Sequence, residues 1–442
     1  MIEIALIVIF VFGYLSITLE HTFKIDKLIP AVGMMALLWA IIALAIDSVP
    51  TWFSLEENGM LEGFTLLPHD SKLHLLEESL LHHLGKTAEI LVFLMGAMTI
   101  VEITDHYNGF GAIKQFVKTK DKRVLLWIMA ILAFVLSAII DNLTATIVLI
   151  TILKKLVDKQ EDRLWFAGLI VVAANAGGAW SPIGDVTTTM LWIGKKVSAV
   201  KLAEFLFLPS LICMIVPTFI ASLLPAFKGE LTTPDSSDDD QPASLGMLLL
   251  GLGMIVFVPL FKTVTHLPPY IGMMLSLAVV GSVAELKSAR AFKMSDVSHH
   301  HSPVHASLAR IEMPSILFFL GILMAVAALE SVGMIFELGV SVRAAIPDDL
   351  FVILLGFGSA VIDNVPLVAA SMGMFQLPMD HHIWHFIAFS AGTGGSMLII
   401  GSAAGVVAMG MERINFMWYL KKIAWLALIG FAAGVATATE AE

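Results

Sequence analysis

The chain has 442 residues, 58% of them hydrophobic and only 14% charged, with a mean hydropathy of +0.87. That balance excludes a soluble globular protein and describes a polytopic membrane protein, whose spans must be helices because the apolar runs are long and do not alternate. The formal net charge of −11 is not a nucleic-acid signature, and a single cysteine, Cys213, excludes an intrachain disulfide and is expected as a small core or lipid-facing residue.

The opening Met-Ile-Glu-Ile-Ala-Leu-Ile-Val has no basic region, so it reads as a first span rather than a cleaved signal peptide. No lipidation motif accompanies it. Apolar runs predict spans near 2–19, 28–46, 87–104 and 203–226. Between the second and third, Leu73, Leu75, Leu76, Leu80, Leu81 and Leu84 stand among charges, and segment 53–86 is expected to hold an interfacial amphipathic helix. Residues 124–157 are split at Asp141-Asn142, and 164–193 contain a Gly-rich break. Residues 227–243 include Pro-Asp-Ser-Ser-Asp-Asp-Asp and read as an acidic, flexible cytoplasmic linker. Further spans are predicted near 244–261, 268–287, 313–330 and 418–438; 350–377 are split at Asp363-Asn364, and 384–410 carry a second Gly-rich break.

The two splits are copies of one phrase. Residues 137–142 read Ser-Ala-Ile-Ile-Asp-Asn and residues 359–364 read Ser-Ala-Val-Ile-Asp-Asn. The arm from Leu350 to Ile362 has about a dozen residues, where a span needs roughly 20. A re-entrant helical hairpin turning at Asp-Asn fits better, and such irregular backbone is tolerated only in a protein-buried or water-lined place. The expected fold is therefore all-α, with two repeats, 1–226 and 244–438, each holding a hairpin (about 124–157 and 350–377) and a broken helix (about 164–193 and 384–410). Each half crosses five times, so the second is inverted relative to the first. With both termini outside, 19 of the 26 Lys and Arg fall in cytoplasmic loops, as the positive-inside rule requires.

Acids inside apolar stretches are costly unless they serve an ion or proton path. Asp141-Asn142 with Thr144, and Asp363-Asn364, bring hard oxygen ligands suited to Na+ to the hairpin tips; the plainer reading is that each Asp only caps a helix. Around the first break stand Asn175, Ser181, Asp185, Thr187 and Thr188; around the second, Ser390, Thr393, Ser396 and Ser402. The Gly-Gly and Ile-Gly pairs of the two breaks align at a common offset, which matches Asp185 to Ser402 and Asn175 to Gly392. Hydroxyls here can instead bond back to the preceding helical turn. Glu102, Asp105 and Glu330 end paired helices and read as helix-end or salt-bridge residues, with a proton path as the alternative. The histidines at 299, 300, 301 and 305, and at 381, 382 and 385, are expected in solvated loops, with pH sensing the alternative.

At these residues the chain resembles the NhaD-type sodium/proton antiporters of the ion transporter superfamily. The resemblance rests on the paired Asp-Asn tips, Asn175-Ala-Gly-Gly with Ser-Pro-Ile-Gly-Asp-Val-Thr-Thr-Thr, and Gly-Thr-Gly-Gly-Ser at 392–396. It implies Na+, with Li+ as a further cargo, exchanged for H+ across a bacterial inner membrane, giving sodium export and pH homeostasis. It also implies a homodimer, elevator-like movement, no cofactor and no enzymatic activity. Asp141, Asn142, Asn175, Asp185, Thr187, Thr188, Asp363 and Asn364 match the family's polar positions. The rival within the superfamily is a Na+-coupled dicarboxylate symporter, but an acid at each tip repels a carboxylate substrate. An intramembrane aspartyl protease is the more distant rival: Ile183-Gly184-Asp185 lacks the first glycine of that pattern, and the repeat has no role in it.

Overall fold

The computed structural model describes residues 2–18, 24–54, 59–114, 117, 119–231, 244–293 and 302–440. Helices dominate: α1 (Ile2–Thr18), α2 (Leu28–Leu44), α3 (His69–His106), α4 (Lys122–Ile140), α5 (Asn142–Leu156), α6 (Gln160–Ala179), α7 (Val186–Ile193) and α8 (Ala199–Leu223) in the first half. The second half has α9 (Leu245–Thr265), α10 (Pro269–Lys293), α11 (Met313–Ser331), α12 (Met334–Ala345), α13 (Asp348–Ser359), α14 (Asn364–Met374), α15 (His382–Gly394), α16 (Ala403–Glu412), α17 (Phe416–Lys422) and α18 (Ala424–Glu440). A two-stranded hairpin, β1 (Phe53–Ser54) and β2 (Gly59–Met60), pairs antiparallel. Among the described residues six helices are long and apolar enough to cross a membrane, or seven if the bent pair α17–α18 is one span. The linker 227–243 lies outside the described residues from 232 onward, as do the histidines at 299, 300 and 301; His305 is exposed.

The helical ladder is interrupted at both Asp-Asn pairs and in both Gly-rich stretches. Asp121 starts α4 by accepting from the amides of Arg123 and Val124. The helix stops at Asp141, whose φ of +75° lies where a side chain is strained. The chain restarts at once as α5, which packs back against α4. In the second copy, non-helical residues 360–363 separate α13 from α14. The broken helices fail at 180–185 and 395–402, where glycine, Pro182 and short turns replace the regular ladder.

Two elements differ from expectation. Segment 53–86 is not a separate interfacial helix: from His69 onward it is the first half of the 38-residue α3. No proline follows Pro68 before the helix ends, and Gly85 alone costs about 1 kcal/mol, so nothing stops the helix between its charged and apolar parts. The last span bends by 52° at Ile423, with Tyr419 turned inward and Lys421 and Lys422 exposed.

The chain divides into two compact units that cut across the sequence halves. The first comprises Met1–Val92, Glu312–Phe351 and Val365–Pro378. Within it α2 and α11 meet backbone to backbone at Gly321 and Ala31, and the Trp39 indole donates to the Met324 carbonyl at 2.8 Å. Glu330 packs its carboxyl against Gly373. The second comprises Phe93–Ile311, Val352–Asn364 and Met379–Glu442. Here α8 packs along α18 through Gly430 and Gly434, with Cys213 fully buried in that contact.

Inside the second unit the repeat is visible atom by atom. The Ser137 hydroxyl donates to the Ala174 carbonyl and the Ser359 hydroxyl to the Ala391 carbonyl, each at 2.6 Å. Gly177 lies against the carbonyl of Phe134, and Gly394 against the carbonyl of Gly356, both too close for a Cβ. The breaks close with matching turns, Gly184 N to Ser181 O and Gly401 N to Leu398 O. Asp185 and Ser402 then N-cap the helices that follow.

A buried ion pair also holds this unit. Glu412 ends α16, where its charge faces the negative end of the helix dipole. Arg163 Nε meets its Oε2 at 3.0 Å, while Lys154 Nζ and Gln160 Nε2 take the carbonyls of Met411 and Glu412. Arg163→Met leaves this carboxylate buried without its principal partner. We expect a loss of about 3–5 kcal/mol, read as a lowered detergent Tm that Arg163→Lys restores only in part.

Candidate functional site

Every hairpin-tip and broken-helix residue singled out in the sequence lies in the second unit. Asp141 sits at the first tip between two helix ends. Thr144 grips it twice, its amide donating to Oδ1 at 2.8 Å and its hydroxyl to Oδ2 at 2.9 Å. This grip holds the strained backbone and fixes both carboxylate oxygens. The capping role and the candidate ligand role thus fall on the same residue.

Asp185 is the point where the two repeats meet. It is 3% exposed. Its Oδ1 accepts from the Thr187 amide at 3.2 Å, the usual N-cap bond. Its Oδ2 accepts from Asn142 Nδ2 at 2.9 Å and from Asn364 Nδ2 at 3.1 Å. One carboxylate oxygen therefore receives an amide from each hairpin tip. Asn142 Nδ2 also donates to Asn175 Oδ1, and Asn175 Nδ2 donates to the Ser402 hydroxyl, both at 3.0 Å. The chain Asn364–Asp185–Asn142–Asn175–Ser402 is continuous and buried. Asp363, half-buried beside it, lies within electrostatic range of Asp185.

The hydroxyls divide into two groups. The Thr187 hydroxyl is buried beside the Asp185 carboxylate and makes no hydrogen bond of good geometry. Thr188 donates to the Asp185 carbonyl and Thr189 to the Pro182 carbonyl, so both brace the break. Thr393 and Ser396 donate to their own helix, to Phe389 O and Thr393 O. They brace the second break and are not drawn into the Asp185 network. Tyr419 does the same from outside, donating to Ser396 O at 2.7 Å. Asp105 is exposed at the end of α3, with Arg310 and Lys155 in electrostatic range. Glu102, nearby on the same helix, is half-buried.

A cavity of about 20 Å³ is bordered by Asp141, Asp185 and Thr189 on one side and by Phe93, Met98 and Ile255 on the other. It has room for roughly one water or one bare cation. Two aspartates and a threonine thus border a small space whose surface is mostly apolar. Charge placed there is poorly screened, so its sign and number are tightly constrained.

Ser137 and Ser359 stand in the repeated phrase itself, so their paired role was signalled there. Ser402 was signalled by its alignment with Asp185. His385, expected in a solvated loop, is 3% exposed, its ring 5.0 Å from that of Phe205 and its Nε2 3.6 Å from Asp380; one turn into α15, it lies in a helix that is buried on every side from Ile383 onward.

Comparison with known proteins agrees with this architecture. The model of the CitMHS family, described as citrate transporter, matches residues 7–385. Sodium/proton antiporter 1 of Arabidopsis thaliana is 40% identical over 98% of this chain and 72% of its own length. The Na(+)/H(+) antiporter NhaD of Alkalimonas amylolytica is 31% identical over 97% of this chain and 89% of its own. The YdaH transporter of Alcanivorax borkumensis, a solved structure of unusual topology, superposes with a TM-score of 0.58 at 14% identity, over 93% of this chain and 97% of that one, and so shares the fold. The chain belongs to the CitMHS family of membrane transporters and, within it, to the NhaD-type sodium/proton antiporters.

Proposed function

We propose that this protein exchanges Na+ for H+ across its membrane, exporting sodium and contributing to pH homeostasis. The observation that carries the reading is Asp185 Oδ2, which accepts one amide from each hairpin tip beside a cavity the size of a bare cation. The amides hold the ionised carboxylate as a cation would. A half-turn of either amide presents its oxygen to an arriving Na+ instead, and Thr187 and Asp141 complete an oxygen ligand set. A proton on the same carboxylate removes the charge that attracts Na+. The two ions therefore take one site in turn, and an empty, ionised site is too poorly solvated to cross.

The site lies within a single compact unit, which suits an elevator in which that unit carries the ions. We extend the proposal to Li+ as a second cargo, to inverted repeats with both termini outside the cytoplasm, to a homodimer and to an inner-membrane location. The named antiporter relatives support the cation reading; the family model's description, citrate transporter, supports Na+-coupled anion symport as the second. Three acids at the site weigh against an anionic substrate.

Everted vesicles carrying a pH dye separate the two. Na+ and Li+ should trigger proton movement that K+ and a dicarboxylate do not, and Asp141→Asn and Asp363→Asn should remove it. Dicarboxylate uptake driven by Na+ would establish the symporter instead. Competition for one carboxylate also predicts that half-saturating Na+ rises as pH falls, by up to about tenfold per unit. A sodium titration at several pH values checks this; a half-saturation that ignores pH contradicts the shared site.

A further inference from the structure

The ion cavity has two unlike walls. Asp141, Asp185 and Thr189 stand on one; Phe93 and Met98 of α3, Ile255 of α9 and Met273 of α10 stand on the other. A buried carboxylate regains solvation when water enters, so an apolar wall over two of them opens unless something outside the cavity holds it. Lys262 provides such a hold. From Asp185 to Trp192 along α7, and from Ile255 to Lys262 along α9, are two matching steps of two helical turns, about 10 Å each. The two helices therefore run side by side, with the ion cavity at one end. At the other end Lys262 Nζ donates to the Trp192 carbonyl at 3.2 Å and lies 4.3 Å over its indole ring. A lysine in the last turn of a span ordinarily reaches for water or headgroups; this one is half-buried. The carbonyl it takes lies at the negative end of the α7 dipole, where a cation is favoured. Trp192 is 2% exposed and meets Phe93 edge-on, the ring centres 6.3 Å apart. Phe261, beside Lys262, packs over Gly272, the residue before Met273. Through these contacts the ammonium reaches all three helices of the apolar wall.

We propose that Lys262 is a positioning residue for exchange, its ammonium clamping α9 to the end of α7 and so keeping the apolar wall shut over Asp141 and Asp185. It acts through Trp192 and Phe93. With the wall shut, an entering Na+ sheds its water to meet the carboxylates, because the space of about 20 Å³ admits it only bare. With the clamp gone, water enters beside the carboxylates, screens them, and weakens their hold on the ion. The role in exchange rests on the function proposed above; the closure of the wall does not.

Met273 is fully buried in the wall, and Cys213 is the chain's one cysteine. Met273→Cys in a Cys213→Ala background therefore places a thiol where a charged methanethiosulfonate reaches it only when the wall opens. Adding Lys262→Met, close in length but uncharged, is expected to speed labelling about tenfold. Lys262→Arg, which keeps the charge and stacks on an indole, is expected to restore the slow rate. Should the methionine variant not fold, Lys262→Gln replaces it and should also label faster. Labelling of the uncharged variants at the background rate overturns the proposal, as does equally fast labelling of Lys262→Arg. These rates need no ion flux. Faster labelling in a protein that moves no protons on adding Na+ would sink the exchange reading and leave the clamp standing. In vesicles, with Met273 and Cys213 in place, Lys262→Met should raise half-saturating Na+ and change the maximal rate little. A lowered maximal rate at unchanged half-saturation overturns the positioning role.

Discussion

Asp185→Asn should abolish Na+-driven proton movement while leaving the protein folded. The cap survives, because asparagine keeps an Oδ1 for the Thr187 amide and is as good an N-cap as aspartate. What changes is the other oxygen. An amide nitrogen in place of Oδ2 would face the donors of Asn142 and Asn364, three NH2 groups with no acceptor among them. One or both partners must turn, and turning Asn142 breaks its bond to Asn175. The charge that binds either ion is gone as well. We expect exchange to fall by about a hundredfold or more, the scale seen when one preorganised electrostatic partner is removed. Dye dequenching and sodium flux in vesicles measure it, with detergent Tm as the folding control. Asp185→Glu keeps the charge but pushes it one methylene farther into a space of about 20 Å³. It should retain partial exchange with a higher half-saturating Na+. Normal exchange by Asp185→Asn would falsify the shared-carboxylate site.

Much of this centre was legible because the repeat is written in residues with narrow physical uses. An Asp-Asn pair in an apolar run has few tolerable places, and a glycine pair marks a weak point in each broken helix, reinforced in the first by Ser181-Pro182. The position of each break follows from those residues alone. The rank order of the acids does not. Asp141 and Asp363 occupy equal places in the repeated phrase, yet the amides of both tips converge on Asp185, whose counterpart is Ser402. The asymmetry is visible in the alignment, but which member of an asymmetric pair gathers its neighbours depends on side-chain directions across four helices. The length of α3 was hidden for a different reason. Leucines among charges give one periodicity and the apolar run gives another, and a change of pattern looks like a boundary although no residue there interrupts the hydrogen-bond ladder. The compact units were hidden because packing, not chain order, decides them.

The crossing of the hairpins with the broken helices should prove the least tolerant part of the protein. Gly177 lies on the backbone of Phe134, and Gly394 lies on the backbone of Gly356; at each, a Cβ would overlap a carbonyl oxygen that no rotamer can move. Both glycines are helical, so the requirement is closeness rather than backbone freedom. Gly177→Ala or Gly394→Ala must push two helices apart. That separation loosens the Ser137–Ala174 or Ser359–Ala391 hydrogen bond and pulls the nearby tip away from Asp185. Overpacking of this kind costs about 1–3 kcal/mol, and the lost buried hydrogen bond adds about 1–3 kcal/mol. Each variant should show a lowered Tm and reduced yield, and any folded fraction should need more Na+ for half-saturation. Gly33→Ala and Gly253→Ala, where an added Cβ meets nothing within 4 Å, are the matched controls and should behave as wild type. Equal Tm values for all four variants would mean that the two crossings are looser than their backbone contacts indicate, and that the tips are aligned by the amide network alone.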